Sequence, residues 1–213
     1  MSLAFDIGGN RGQSIDALFL KNYTTVISVE ANPVLANMLC KKYEQKLGDT
    51  VFIEPKIVCE HDRGKKLYIA LDEVGISTTK VEWATESRFK DHVTRVKTVF
   101  VESITLDQLI EQYGNPSFIK IDVEGGEMEV LQGLSFCDAK IAFEWTEELF
   151  DSVVETSVSL LRKLGYRQFS YQENDTLSAE PSDTSYTSWE ECDIHSIINK
   201  NNYKKWGLVW AKK

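Results

Sequence analysis

The residues of this chain best suited to chemistry are carboxylates at the ends of apolar runs. Leu3-Ala4-Phe5-Asp6-Ile7 leads into Gly8-Gly9-Asn10-Arg11-Gly12, so an apolar run reaches an acid, breaks into glycines and opens a helical pattern. A second run, residues 25–30, ends in Glu30, 18 positions past Gly12. A third, Phe118-Ile119-Lys120-Ile121-Asp122-Val123-Glu124-Gly125-Gly126, repeats the design of the first. A fourth, residues 139–145, closes on Glu144-Trp145. Glycines at a strand tip let a ligand approach the main chain without a Cβ in the way, and first-turn N–H groups of the next helix are free to donate. A nicotinamide or flavin site asks for G-x-G-x-x-G, whose middle glycine makes room for a pyrophosphate. Here Asn10 stands at that middle position. A carboxylate such as Asp6 beside the loop is a poor neighbour for a diphosphate and a good one for a cation. Glu30 lies near the usual spacing for an acid that holds a ribose diol.

These acids need elements to hold them. After Gly12, Ile15, Leu18 and Phe19 share one helical face. Asn32 is a natural N-cap and Pro33 a natural first helical residue, with Leu35, Met38, Leu39, Tyr43 and Leu47 as an inward stripe ended by Gly48. Pro55 divides the β-rich stretch 51–59, which predicts an ordered third strand over residues 56–60. Residues 66–71 read as a hairpin strand and 97–104 as another. Between them, residues 77–95 have no clean period, a candidate lid. Thr105-Leu106-Asp107-Gln108 is a capping box opening a helix closed by Gly114 and Pro116. Asp151 is expected to cap a helix with Val154, Val158 and Leu161 inward, followed by strands over 166–171 and 206–211. Residues 172–205 are polar and read as a surface excursion. The alternation predicts one α/β domain spanning 1–213, doubly wound and Rossmann-like, with Asp6 and Asp122 on either side of the switch point.

Asp6-x-Gly8-x-Asn10-x-Gly12 resembles the first motif of class I S-adenosylmethionine methyltransferases. The stretch Ile-Lys-Ile-Asp-Val-Glu-Gly-x-Glu-x-x-Val-Leu-x-Gly, from Ile119 to Gly133, is similar to the signature of the FkbM methyltransferases. Asp6 to Gly12, Val29-Glu30-Ala31-Asn32-Pro33 and Ile104-Thr105-Leu106-Asp107 fall in that family's order, so the resemblance covers roughly residues 3 to 145. It implies a mostly parallel sheet of order 3-2-1-4-5-7-6 with an antiparallel last strand, and S-adenosylmethionine as cofactor. It also implies a hydroxylated small-molecule acceptor, a sugar, polyketide or similar metabolite. Asp6, Gly8, Gly9, Asn10 and Gly12 would then face the aminoacyl end of the cofactor, Glu30 the ribose, Ala31 or Asn32 the adenine, and Cys59, with Glu60, the adenine edge. An alcohol is a poor nucleophile, so a base is expected. Asp122 is the first candidate by position, or else orients the cofactor amine, with Glu124 and Glu144 beside it and His92 or His195 brought in by loops. Glu124 has a plain alternative, which is to buttress the Gly125-Gly126 turn. A divalent metal at Asp122, Glu124 and Glu144 is compatible with oxygen ligands but not expected. Trp83, Phe89, Trp145, Tyr186 and Trp189 are candidate acceptor-pocket aromatics, with core packing the favoured reading for Trp145. The alternatives are an NAD-binding oxidoreductase, disfavoured by Asn10 and by the lack of a Tyr-x-x-x-Lys pair, and a cofactor-binding domain without catalysis.

Composition narrows the partners. The 213 residues are 42% hydrophobic and 27% charged, ordinary for a globular chain. A net charge of −9 is unpromising for nucleic acid or an anionic membrane. Cys40, Cys59, Cys137 and Cys192 are scattered with no C-x-x-C pair, which reads as reduced thiols rather than zinc ligands. With no apolar run of membrane-spanning length and no signal-like leader, a cytoplasmic location is expected. Nothing precedes the first strand, so cover for the site is expected from residues 77–95, from 172–205, or from a partner subunit in a homo-oligomer.

Overall fold

The computed structural model describes residues 2–146, 148, 149, 152–196 and 205–213. Its centre is a seven-stranded sheet. β1 (Leu3–Ile7) leads through α1 (Gln13–Leu20) to β2 (Thr25–Val29), and α2 (Pro33–Lys42) leads on to β3 (Val51–Glu54). Then come β4 (Ile57–Val58), β5 (Lys65–Ala70), β6 (Ser77–Thr78), α3 (Val81–Glu86), β7 (Val96–Val101) and β8 (Ser103–Ile104). α4 (Leu106–Tyr113), β9 (Phe118–Ile121), α5 (Glu127–Gln132), β10 (Lys140–Trp145), α6 (Val153–Lys163), β11 (Gln168–Glu173) and β12 (Gly207–Lys212) complete the chain. The main sheet runs β3-β2-β1-β9-β10-β12-β11, and only β12 is antiparallel to its neighbours. Counted along the chain within this sheet, that is the order 3-2-1-4-5-7-6.

The parallel strands are covered on both faces, as such strands must be. Phe5, Ile7, Ile27, Val29, Ile119, Ile121 and Phe143 feed one core cluster. Their alternating neighbours Ala4, Val26, Phe118 and Ala142 feed the other. Each buried Phe or Ile contributes roughly 2 kcal/mol, so the strand tips stand on a rigid base. The local signals act as their chemistry dictates. Asn32 Oδ1 accepts from Val34 N at 3.0 Å with Pro33 in the first turn, and Thr105 and Gln108 make the reciprocal capping bonds.

Several expectations need correction. The third strand of the main sheet is residues 51–54, not 56–60. Pro55 ends it, and Ile57 and Cys59 turn their N–H groups to Glu102 O (2.9 Å) and Ile104 O (3.1 Å) instead. Residues 97–104 likewise divide, β7 pairing antiparallel with β5 while β8 pairs parallel with β4. α2 ends at Lys42, short of the predicted stripe; Leu35, Leu39 and the capping Tyr43 are buried, but Met38 and, beyond the helix, Leu47 are exposed. The excursion after β11 is not all surface, because Leu177, Tyr186, Trp189, Cys192 and Ile194 are buried. In the stretch 77–95, Thr78, Trp83, Ala84 and Val93 are also buried, packing this segment on β5. Asp151 lies outside the described residues.

Candidate active site

The tips of β1, β2, β9 and β10 open into a cleft of about 660 Å³, within the range of small-molecule sites. Ile7, Gly8, Gly9 and Asn10 form one wall, Glu30, Ala31 and Cys59 a second, and Asp122, Glu124 and Glu144 the far end. Phe89, Arg88, His92 and Trp206 line the same space. It crosses the switch point, where β1 has β2 on one side and β9 on the other.

On the first wall the glycines serve protein packing. A Cβ on Gly8, whose φ is +92°, would lie 1.8 Å from Asp122 O, so the β1 and β9 tips touch only because that carbon is absent. A Cβ on Gly12, at φ +83°, would meet the Tyr43 hydroxyl at 2.7 Å. That hydroxyl donates to Gly12 O at 2.9 Å, and Gly12 is not part of the cleft wall. Asn10, at φ +44°, turns its N–H to Glu30 Oε2 at 2.8 Å.

Glu30 is held from both ends: its other oxygen accepts from Asn32 N at 2.7 Å. Burial pushes its carboxyl up to about 7 despite those two bonds. Asn32 itself is drawn away from the cleft. Its oxygen caps α2, and its Nδ2 donates to Val74 O and Ser77 Oγ.

Asp6 is wholly buried beneath the loop and level with Lys120 across the β1–β9 pair. Ser28 Oγ donates to Asp6 Oδ2 at 2.9 Å, while Oδ1 has no partner among the described residues. Burial raises Asp6 to about 6, and Lys120 opposes the rise. Lys120 also donates to Asp122 Oδ2 at 2.9 Å, and these carboxylates push its ammonium up against the effect of burial.

The far end is crowded with acids. Glu124 sits in a left-handed turn at φ +57°, and its Oε2 accepts from Trp83 Nε1 at 2.7 Å. Burial, then Asp122, raises it to about 8. Glu127 accepts from Val123 N and Gly125 N and so pins the turn, a role sequence reasoning gives to Glu124. Burial raises it to about 7. Glu144 is raised well above its ordinary value by burial and then by Asp122 and Glu124. Its Oε1 stands 3.7 Å from Arg88 Nη2, and its Oε2 has no partner among the described residues. Asp122, Glu124 and Glu144 do not bring three ligand oxygens within 4.8 Å of one another; among the described residues only Cys59, Glu60 and His61 meet that spacing.

Sequence reasoning misses Arg88. Its guanidinium lies over the rings of Phe89 (4.7 Å), Trp83 (5.2 Å) and Trp206 (5.2 Å) and pairs with Glu148 at 3.1 Å. An arginine inside an aperiodic stretch gives no signal of this, because its acidic partners lie about sixty residues away. Of the candidate aromatics, Phe89 lines the cleft and Trp83 backs Glu124. Trp145 is core, donating to Gln172 O, Tyr186 packs with Lys212, and Trp189 packs on Phe169. His92 reaches the cleft, whereas His195 packs against Trp189.

The methyltransferase FkbM domain matches residues 6–168 of the chain. No curated protein matches it. Among solved structures, the precorrin-6y C5,15-methyltransferase from Geobacter metallireducens GS-15 is 12% identical, over 100% of this chain and 79% of that one, with a TM-score of 0.47. TYW2 from M. jannaschii, solved in complex with AdoMet, is 12% identical over 99% and 67%, with a TM-score of 0.43. StiE O-MT residues 961–1257 is 7% identical over 100% and 67%, with a TM-score of 0.50, a likeness of fold.

Proposed function

The chain belongs to the FkbM methyltransferase family, and on that premise we propose that it methylates a hydroxyl of a small metabolite, a sugar, polyketide or similar molecule, with S-adenosylmethionine as donor. The observation that carries this reading is the cleft across the β1–β9 switch point, with acids and main chain but few cations around it. The residues fit such a cofactor. Asn10, which lines the cleft, has a buried Oδ1 without a partner among the described residues, and carboxylates surround the position a positive centre needs.

S-adenosylmethionine supplies a methyl group on a positively charged sulfur, already activated for in-line displacement. Gly8, Gly9, Asn10 and Asp122 would hold its aminoacyl end, with Asp6 and Lys120 setting the field beneath. Glu30 keeps lone pairs for the ribose hydroxyls beyond the two N–H bonds it accepts. Ala31 and Cys59 would flank the adenine. Asp122 is tied to Lys120 at 2.9 Å, which favours an orienting role. Glu124, raised to about 8 and aimed by Trp83, is the better-matched proton acceptor for an acceptor hydroxyl. Residues 77–95 supply Arg88, Phe89 and His92 to the wall and so exclude water.

Calorimetry with S-adenosylhomocysteine and NAD, followed by labelled-methyl transfer to a panel of hydroxylated metabolites, tests this. Binding of S-adenosylhomocysteine alone and label recovered in an ether are expected. Binding of NAD alone, or no label in any acceptor, would overturn it.

A further inference from the structure

The acceptor end of the cleft holds more carboxyl groups than its own cations can answer. Asp122 and Glu124 just past β9 and Glu144 on β10 line it, and Glu148 beyond β10 reaches it through Arg88. Lys120 is engaged by Asp122 and Asp6. Arg88 is divided between Glu144 and Glu148. Trp83 Nε1 meets Glu124, but it is a neutral donor. Glu144 is only 6% exposed and lines the cleft, yet its Oε2 has no partner among the described residues. A buried carboxyl oxygen without a partner is costly, so its presence on a residue that lines the cleft points to what a ligand brings. The aromatic rings over Arg88 show that this corner already suits a cation.

We propose that the acceptor is a hydroxylated molecule bearing a protonated amine, seated with its ammonium against Glu144 and its hydroxyl toward Glu124. This rests on the methyltransferase reading of the cleft and adds the charge class of the acceptor to it. A neutral polyol would leave Glu144 as a buried acid kept protonated. An anionic acceptor would meet the Asp122 carboxylate and hold Glu124 and Glu144 in their protonated forms. An ammonium satisfies Oε2 and draws the raised carboxyls toward ionisation, so its binding releases protons.

The test uses one ring scaffold in three charge states with the S-adenosylhomocysteine-loaded protein at pH 7: trans-2-aminocyclohexanol, trans-1,2-cyclohexanediol and trans-2-hydroxycyclohexanecarboxylate. Titration calorimetry in two buffers of different ionisation enthalpy reads affinity and proton release together. Expected are at least ten-fold tighter binding of the amino alcohol than of the diol, net proton release, and loss of that advantage in Glu144→Gln. Equal affinities, a preference for the carboxylate, or no binding of any of the three would overturn the proposal. So would an amine advantage that persists in a Glu144→Gln protein binding S-adenosylhomocysteine normally. Where that variant fails to fold, absence of proton release in the unaltered protein overturns it instead. Failure of S-adenosylhomocysteine itself to bind would sink the methyltransferase reading, and is read separately before any probe is added.

Discussion

The two ends of the cleft are built by opposite means. At the β1–β2 end, main chain does the holding. Gly8 lies against the backbone of Asp122, and Glu30 receives the N–H groups of Asn10 and Asn32. At the β9–β10 end, side chains from distant segments do it. Trp83 reaches Glu124 across forty-one positions, and Arg88 reaches Glu148 across sixty. The first end is a rigid cradle whose parts are neighbours in the sheet. The second is a charge cluster whose members raise one another's pKa values and whose state depends on what enters. On the proposed reading, donor grip and acceptor chemistry are therefore separable by mutation.

Gly8→Ala is the severest way to break that contrast. The new Cβ would meet a main-chain carbonyl at 1.8 Å from a left-handed backbone, so the β1 and β9 tips must part. We expect ~4 kcal/mol or more of lost stability together with loss of S-adenosylhomocysteine binding, read by denaturant unfolding and calorimetry. A variant of normal stability would show that the two tips do not rely on this contact.

Glu124→Gln is the counterpart at the other end. The amide keeps an oxygen for Trp83 Nε1 but cannot take a proton. The expected loss is roughly 10²–10⁴-fold in kcat, with S-adenosylhomocysteine affinity within about two-fold of the unaltered protein. In the unaltered protein kcat/KM should rise with pH through about 8, the value for Glu124. A flat profile between pH 6 and 9 would remove it as the base.

The same division governs what can be read from residue order. The cradle is legible: Asp6, the glycine loop, Glu30 and Asp122 fall at strand tips because apolar runs ending in acids mark them. Leu109 on α4 and Val154 and Leu161 on α6, all fully buried, follow plain 3.6-residue periodicity. The third strand is misplaced from sequence because Pro55 predicts a break but not which side joins the main sheet. Only the pairing partners decide that: Val26–Val29 for residues 51–54 and Ser103-Ile104 for residues 57–58. Motif spacing assigns Asn32 and Gly12 to the ligand because it cannot tell a cap or a packing contact from a ligand contact. Arg88 is invisible because its role exists only once Trp83, Phe89, Trp206, Glu144 and Glu148 surround it.

The buried acids also give stability an unusual pH dependence. Asp6, Glu30, Glu127 and Glu124 are raised to about 6, 7, 7 and 8, each chiefly by burial. A carboxyl whose folded pKa exceeds its unfolded one binds more protons when folded. Its stabilisation is complete below the unfolded value, about 4, and is lost as pH rises through the folded value. We expect the unfolding free energy to fall between pH 5 and 8, since all four groups act in the same direction over that range. Tm measured across that range by calorimetry checks it, and a Tm that climbs with pH would contradict it. S-adenosylmethionine, as a cation, should flatten the curve.

The smallest expected effect lies inside the glycine loop itself. Arg11 sits between Asn10 and Gly12, yet its guanidinium is 3.9 Å from Glu73 with both side chains more than half exposed. Exposed pairs of that kind contribute little, because water screens the attraction and two long side chains must be ordered to make it. The cradle is main chain and carboxylate, so removing this side chain should leave it intact. Arg11→Ala is expected to change stability by under ~0.5 kcal/mol and S-adenosylhomocysteine affinity by less than about two-fold. A ten-fold loss on calorimetry would mean that a side chain, and not only backbone, grips the donor, and the contrast between the two ends of the cleft would have to be redrawn.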